Sequence, residues 1–471
     1  MAERPFPLPI SYGHTDAVKN SGGYLINLEA EVAPKDARTP VTIRGTPGLS
    51  TFADTGQFPV VAMIEVDEAG YVITKTGIYR IFPDGGHYKL GTFVLGQFAR
   101  AQTNGIDIVA TDGLRIWAYT IQADEQSRYD NNTPFTNFAT ELTGEPNWYP
   151  SSSIDFLDGY LILARDDTNQ FYNTDGYSLT VNALAFSSAE TNPDLVRAVF
   201  VDHQTLAVIG SKTVEFWYDA GVGDSPFQRV QGGVSEHGTA SPYCVAKINN
   251  NMFMVTPEAT VYAFQGYQPR PISTPAIEEE LKRRDLTQAT AFCYTDGGHF
   301  YYQLTAGDFT AVYDMSTNLW HVRRDYNLGR HRASSHMFVF NKNLVGDFNS
   351  GKVYHYSTDY YDDDGDPLIA EIVSGPAETG GRSVGIGLIE FQIDVGVGNA
   401  ACPDPQAGLE ISRDDGKTFG NQRLKPIGKV GAYQNRVRWQ KNGDAVSPRF
   451  RFRLSDPVPR RMTSQALVSF A

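Results

Sequence analysis

The sequence predicts an all-β chain: a β-propeller followed by a separate β-domain of sandwich type. The first observation is a repeat. Seven times between Gly70 and Tyr356 an apolar strand runs into a short turn and then into a strand ending on an aromatic, the closing residues being Phe82, Trp117, Tyr172, Trp217, Phe264, Tyr313 and Tyr356. The step is roughly 35 to 55 residues, near the period of propeller blades. The second observation is composition. Hydrophobic residues make up 41% and aromatics 12% of 471 residues, a globular balance with length for more than one domain. The third is a change of pattern after the acidic stretch Asp362-Asp363-Asp364-Gly365-Asp366-Pro367, beyond which short segments mostly alternate apolar and polar residues.

Residues 1–45 carry several prolines and little periodicity, and read as an extended N-terminal arm. Its apolar patches, Tyr24-Leu25-Ile26 and Val41-Thr42-Ile43, are short enough to pair as edge strands. Residues 46–365 hold the repeats. Each copy has turn formers at its centre, such as Asp112-Gly113 and Asn349-Ser350-Gly351. A lone hairpin cannot bury its apolar face, whereas a ring of four-stranded blades buries both faces and leaves only short edges. Repeat count gives seven blades; six, with one copy diverted into pairing with the arm, is the variant. The polar stretch 126–147 reads as a protruding loop. Residues 273–284 form the clearest helix: Ser273 or Thr274 can cap it, Pro275 suits the first turn, Glu278 to Glu280 sit early and Lys282 to Arg284 late. Residues 366–471, with turns at Asp415-Gly416 and Asn442-Gly443, form the second β-domain.

Charge is uneven. Net charge is −14, yet from Pro367 onward there are 14 basic and 10 acidic residues, which leaves 26 basic against 44 acidic before it. So acidic a body should not grip nucleic acid, because phosphate binding depends on clustered Lys and Arg that release counterions. No apolar run approaches the roughly 20 residues of a membrane helix, so no membrane insertion is expected. The start lacks a basic segment followed by an apolar core, so no secretory signal is expected either. Cys244, Cys293 and Cys402 lie far apart and suit free thiols in a reducing compartment.

No stretch assembles a catalytic centre, and neither a cofactor nor a metal site is expected. Ser412, Asp414, Gly416, Thr418 and Phe419 match the Asp-box pattern S-x-D-x-G-x-T-[WF] of sialidases and related propellers, where the box braces a hairpin and does no catalysis. Asp362 to Asp366 begin like a calcium loop, but Pro367 replaces the required Gly and Val373 the bidentate Glu, so a solvated linker is expected. Gly381-Arg382-Ser383-Val384-Gly385 matches G-x-S-x-G, but Pro and Gly precede it and a strand follows, which is no setting for a nucleophile elbow. The nine histidines show no paired metal spacing, and Arg330, His331 and Arg332 read as a basic surface or interface loop. Arg449, Arg451 and Arg453 alternate with Phe450, Phe452 and Leu454, so they share one strand face. That face is either ordinary solvated surface or an electrostatic seam for an acidic neighbour.

Several segments resemble a known family: Gly45-Thr46-Pro47-Gly48-Leu49, the strand from Val208 to Trp217, the segment GGVSEHGTASPYCVA ending at Ala246, and ISTPAIEEEL ending at Leu281. With the closing domain they are similar to the packaged-DNA stabilisation protein of short-tailed bacteriophages, the tail accessory factor or tail nozzle. The resemblance spans most of the chain. It implies a structural protein of the virion tail, assembled in the host cytoplasm, without catalytic residues. It implies a homo-oligomeric, hexameric ring below the head-to-tail adaptor, sealed with the help of a tail needle, and tailspikes or fibres in some members. Duplex DNA would pass the lumen without sequence-specific binding. The alternative is a carbohydrate-recognising tail protein or a glycosidase-like propeller.

Overall fold

Each of the seven repeated hairpins forms the second and third strands of a four-stranded antiparallel unit in the computed structural model, which describes residues 3–16, 21–37, 39–56, 58–133, 138–190, 194–377 and 379–470. The innermost strands are Val60–Val66, Arg100–Thr103, Ile154–Leu157, Val196–Asp202, Ala246–Ile248, Thr290–Asp296 and Ala333–Val339. Neighbouring units pack through them, and the last packs on the first, closing the ring. Among the described residues six units are self-contained sheets, the blades of a propeller. The unit with inner strand Thr290–Asp296 differs: its outer strand Leu319–Arg323 continues into a nine-stranded sheet. The count of seven blades is therefore corrected to six: one of the seven repeats is diverted into pairing with the N-terminal segment, through Tyr24–Ile26.

The closing aromatics mark where the blades bury their hydrophobic load. Phe82, Tyr172, Phe264, Tyr313 and Tyr356 are nearly inaccessible. Closure comes from the N-terminal side: Gly48–Asp54 pairs antiparallel with Lys352–Ser357 and supplies the outer strand of the last blade. A β-carbon at Gly48 would lie 2.4 Å from the Asp362 carbonyl oxygen and 2.6 Å from that of Tyr360, so only glycine fits this approach.

The second module is a sandwich. One sheet contains Leu28–Val32, Val41–Gly45, Arg461–Phe470, Val384–Ile393 and Val437–Gln440, with Arg4–Pro7 and Asp444–Ala445 on its margins. The other contains Tyr24–Ile26, Ala370–Val373, Arg449–Leu454, Gln406–Ser412 and Arg423–Pro426. Leu25, Leu28, Ile43, Ile389, Phe391, Leu409, Trp439 and Phe452 fill the space between, with the Phe391 and Phe452 rings stacked at 4.3 Å. The segment read as an extended arm thus contributes strands to both sheets. Tyr24–Ile26 bridges the modules, pairing parallel with Leu319–Arg323 of the propeller and antiparallel with Ala370–Val373 of the sandwich.

The helix Pro275–Lys282 forms where capping placed it, with the Thr274 hydroxyl accepting from the Ile277 N–H. The stretch read as a protruding loop carries a helix, Glu125–Asp130, and the outer strand Ala139–Glu141 of the second blade; residues 134–137 lie outside the described residues. Glu125 is buried between the first and second blades, accepting from the first blade's Tyr71 hydroxyl and Arg80, each at 2.9 Å, and from the second blade's Tyr119 hydroxyl.

Candidate interaction surfaces and the propeller–sandwich junction

Phe450, Phe452 and Leu454 of the strand Arg449–Leu454 point into the sandwich core, and the three arginines occupy the opposite face. The neighbouring strands bring carboxylates into register with them. Glu410 lies opposite Arg451, and Glu371 opposite Arg453. Arg451 pairs with Glu410, and Arg453 with Glu371 at 2.7 Å and Glu410 at 3.3 Å. Arg449 is buried and lies 3.2 Å from Asp415. The sequence allows this face to be solvated surface or an electrostatic seam for an acidic neighbour; within the chain its charge is met by these carboxylates. Cross-strand pairing supplies the carboxylates, and spacing along one strand does not reveal them.

Ser412 and Asp414 brace the hairpin beside it. The Ser412 hydroxyl donates to Asp414 at 2.7 Å and accepts the Gly416 N–H at 2.8 Å. Asp414 accepts the Thr418 N–H at 2.9 Å and its hydroxyl at 2.5 Å, and these bonds hold the carboxyl down at about 2. Gly416 takes a φ of 93°, and the guanidinium of Arg451 lies 4.0 Å from the centre of the Phe419 ring. Ser383 stands just before a strand, its hydroxyl donating to Asp444 at 3.1 Å. Among the described residues no group of three or more His, Cys, Asp and Glu is placed to hold a metal ion.

The loop of Arg330, His331 and Arg332 is not a uniform surface. His331 is fully buried; its Nε2 accepts from Arg323 at 3.1 Å, and its Nδ1 lies 3.2 Å from Gln303 Nε2. Burial, then the guanidinium groups of Arg323, Arg332 and Arg330, push its pKa well below the ordinary value. Arg332 pairs with Asp325 and reaches Asp366 at 3.1 Å. Arg330 lies 4.2 Å over the Phe348 ring.

These residues belong to a polar junction between the modules. Arg323, fully buried, donates to the Tyr356 hydroxyl at 2.6 Å and the Pro47 carbonyl at 2.8 Å. Asp363 is buried beside Arg323, Arg332 and Arg460, and burial with nearby Asp325 raises its carboxyl to about 7. Arg460 of the sandwich donates to the Tyr361 and Asp456 carbonyls at 3.1 Å. Asp364 accepts from Thr51 and, at 2.8 Å, from Lys352. The acidic run read as a solvated linker is therefore corrected too: it is folded into the junction. Its composition shows charge, but the arginines that bury it lie far away in sequence.

A propeller joined to a sandwich by a shared sheet and a buried polar junction defines a two-module all-β protein. The chain belongs to the phage stabilisation family: residues 7–361 match the family model described as Bacteriophage P22 Gp10, beta-propeller, and residues 379–468 the one described as Bacteriophage P22 Gp10, beta-sandwich. It is a bacteriophage structural protein of the virion. No curated protein matches the chain. Among solved structures it is similar to BamB from Moraxella catarrhalis, at 10% identity and TM-score 0.38 over 63% of this chain and 83% of that one. It is also similar to the Neurospora crassa Pan2 WD40 domain, at 8% identity and TM-score 0.41 over 64% of this chain and 89% of that one.

Proposed function

We propose that the chain is one subunit of a ring-shaped tail nozzle that sits below the head-to-tail adaptor, extends the DNA channel and helps retain the packaged genome until ejection. Two consecutive family matches spanning both modules carry this reading. The junction supports it, because a ring under internal pressure needs modules that do not hinge, and here sheet continuity and buried polar contacts couple them. The charge balance supports it as well. With 44 acidic against 26 basic residues before Pro367, the body repels a phosphate backbone.

In this reading six copies form the ring, the adaptor lies above it and a needle or tip protein closes it below, with tailspikes or fibres as further partners. Assembly takes place in the host cytoplasm. The N-terminal segment is 1–45, the propeller unit 46–365 and the second module 366–471, with the strand Tyr24–Ile26 tying the two modules together. Retention rests on physical closure, not on affinity along the wall, and the chain catalyses no reaction. Mixing the purified chain with the adaptor complex of its phage and imaging the product by electron microscopy tests the proposal. Docked rings support it. Hydrolysis of sialosides, esters or polysaccharide by the purified chain, lost on a single carboxylate substitution or on Ser383→Ala, overturns the non-enzymatic part.

A further inference from the structure

The inner strands of the propeller begin around one end of its axis, and there they enclose a cavity of about 160 Å³. Its wall comes from four blades and the turn before a fifth, and includes Arg100, Tyr243, Arg330, Ser335 and His336. Arg100, the first residue of its strand, donates to the Pro242 carbonyl at 2.8 Å and the Val245 carbonyl at 2.6 Å. Arg330 donates to the His331 carbonyl at 3.2 Å and lies over Phe348. Among the described residues neither has a carboxylate within ion-pair distance, unlike neighbouring Arg332. Burial lowers the pKa of both, that of Arg330 to about 10.

The carboxylates that act on the two arginines lie beyond ion-pair distance, Asp155 for Arg100 and Asp325 and Asp347 for Arg330, and each is engaged elsewhere. Asp155 accepts from Gln102 and the Val201 N–H, Asp325 pairs with Arg332, and Asp347 accepts from Asn349, Ser350 and Tyr354. The Ser335 hydroxyl is buried without a hydrogen-bond partner. His336, at Nε2 2.9 Å from Asn343 Oδ1, is pushed down to about 4 by burial and adds no charge. Carbonyl groups satisfy the N–H donors of a guanidinium without neutralising it, so each of these cations meets carboxylates only at longer range. A chain of net charge −14 does not lack carboxylates to place here.

We propose that this cavity binds a compact oxyanion, a phosphate or carboxylate group received by the guanidinium groups of Arg100 and Arg330. A group of this size fits the cavity; a polymeric anion does not. Isothermal titration calorimetry of the full chain with inorganic phosphate and, separately, with acetate tests it, at ionic strength held constant with chloride. Saturable one-to-one binding of at least one anion is expected. Arg330→Gln should weaken it by about tenfold or more, as loss of a charge-assisted contact does. Arg100→Gln should act likewise, with circular dichroism checking its fold; if it misfolds, Arg330→Gln and Arg330→Lys decide the matter. Arg197→Gln is the control, because Arg197 donates to the Ala240 carbonyl at 2.7 Å and lies outside the cavity wall. Its affinity should be unchanged. Absence of saturable heat with both anions, unchanged affinity in Arg330→Gln, or equal loss in Arg197→Gln would each overturn the site.

Discussion

Glu410 is nearly inaccessible and is shared by Arg451 and Arg453, so its charge is tolerated only while both guanidinium groups are present. Arg451→Ala leaves a buried carboxylate with one partner and should cost about 2 kcal/mol in chemical denaturation, less than a fully buried pair because Arg451 keeps some solvent contact. An unchanged midpoint would show that the pair is dispensable. His331 gives a pH dependence of known sign. Its folded pKa lies below the ordinary 6.5, so the unfolded chain takes up a proton as pH falls while the native state does not. Stability from this ring is complete above pH 6.5 and declines below it, by at most about 1.4 kcal/mol per pH unit. The margin of the native chain over His331→Gln should therefore shrink between about pH 7.5 and pH 5.5. A margin that widens would mean that the imidazole is charged in the fold. At this scale, local geometry was legible in the sequence: Ser412, Asp414 and Thr418 lie within one turn, so their spacing defines their contacts. The partners of the arginines were not, since Glu371, Glu410 and Asp363 meet them only through strand pairing and module packing.

At the scale of elements, periodicity located the hairpins because each blade's second and third strands are adjacent in sequence. It did not show what closes the ring or which strands the N-terminal patches join. Gly48–Asp54 pairs with a strand about three hundred residues later, and Leu25, Leu28 and Ile43 enter the sandwich core from the same end of the chain. Three-residue apolar patches read as edge strands but carry no period long enough to name their partners. Because closure rests on Gly48, Gly48→Val should force the outer strand off the last blade and lower stability by about 1–3 kcal/mol or more. Hydrogen exchange would then show lost protection in Lys352–Ser357 ahead of the other blades. Uniform loss over all blades would indicate that the propeller unfolds as one unit and that closure is no special weak point.

At the scale of the whole molecule, the proposed nozzle role makes a prediction from the acidic body of the chain. Purified rings should show no binding of duplex DNA at physiological salt, because a wall with excess carboxylates releases few counterions. Tight, salt-sensitive binding would mean that the basic groups of the chain line the lumen. The most direct test is electron microscopy of the virion carrying a label on this chain. The expected image is a closed ring of label on the tail axis immediately below the head-to-tail adaptor. Label confined to the capsid, or to fibre or spike tips away from the axis, would contradict the nozzle.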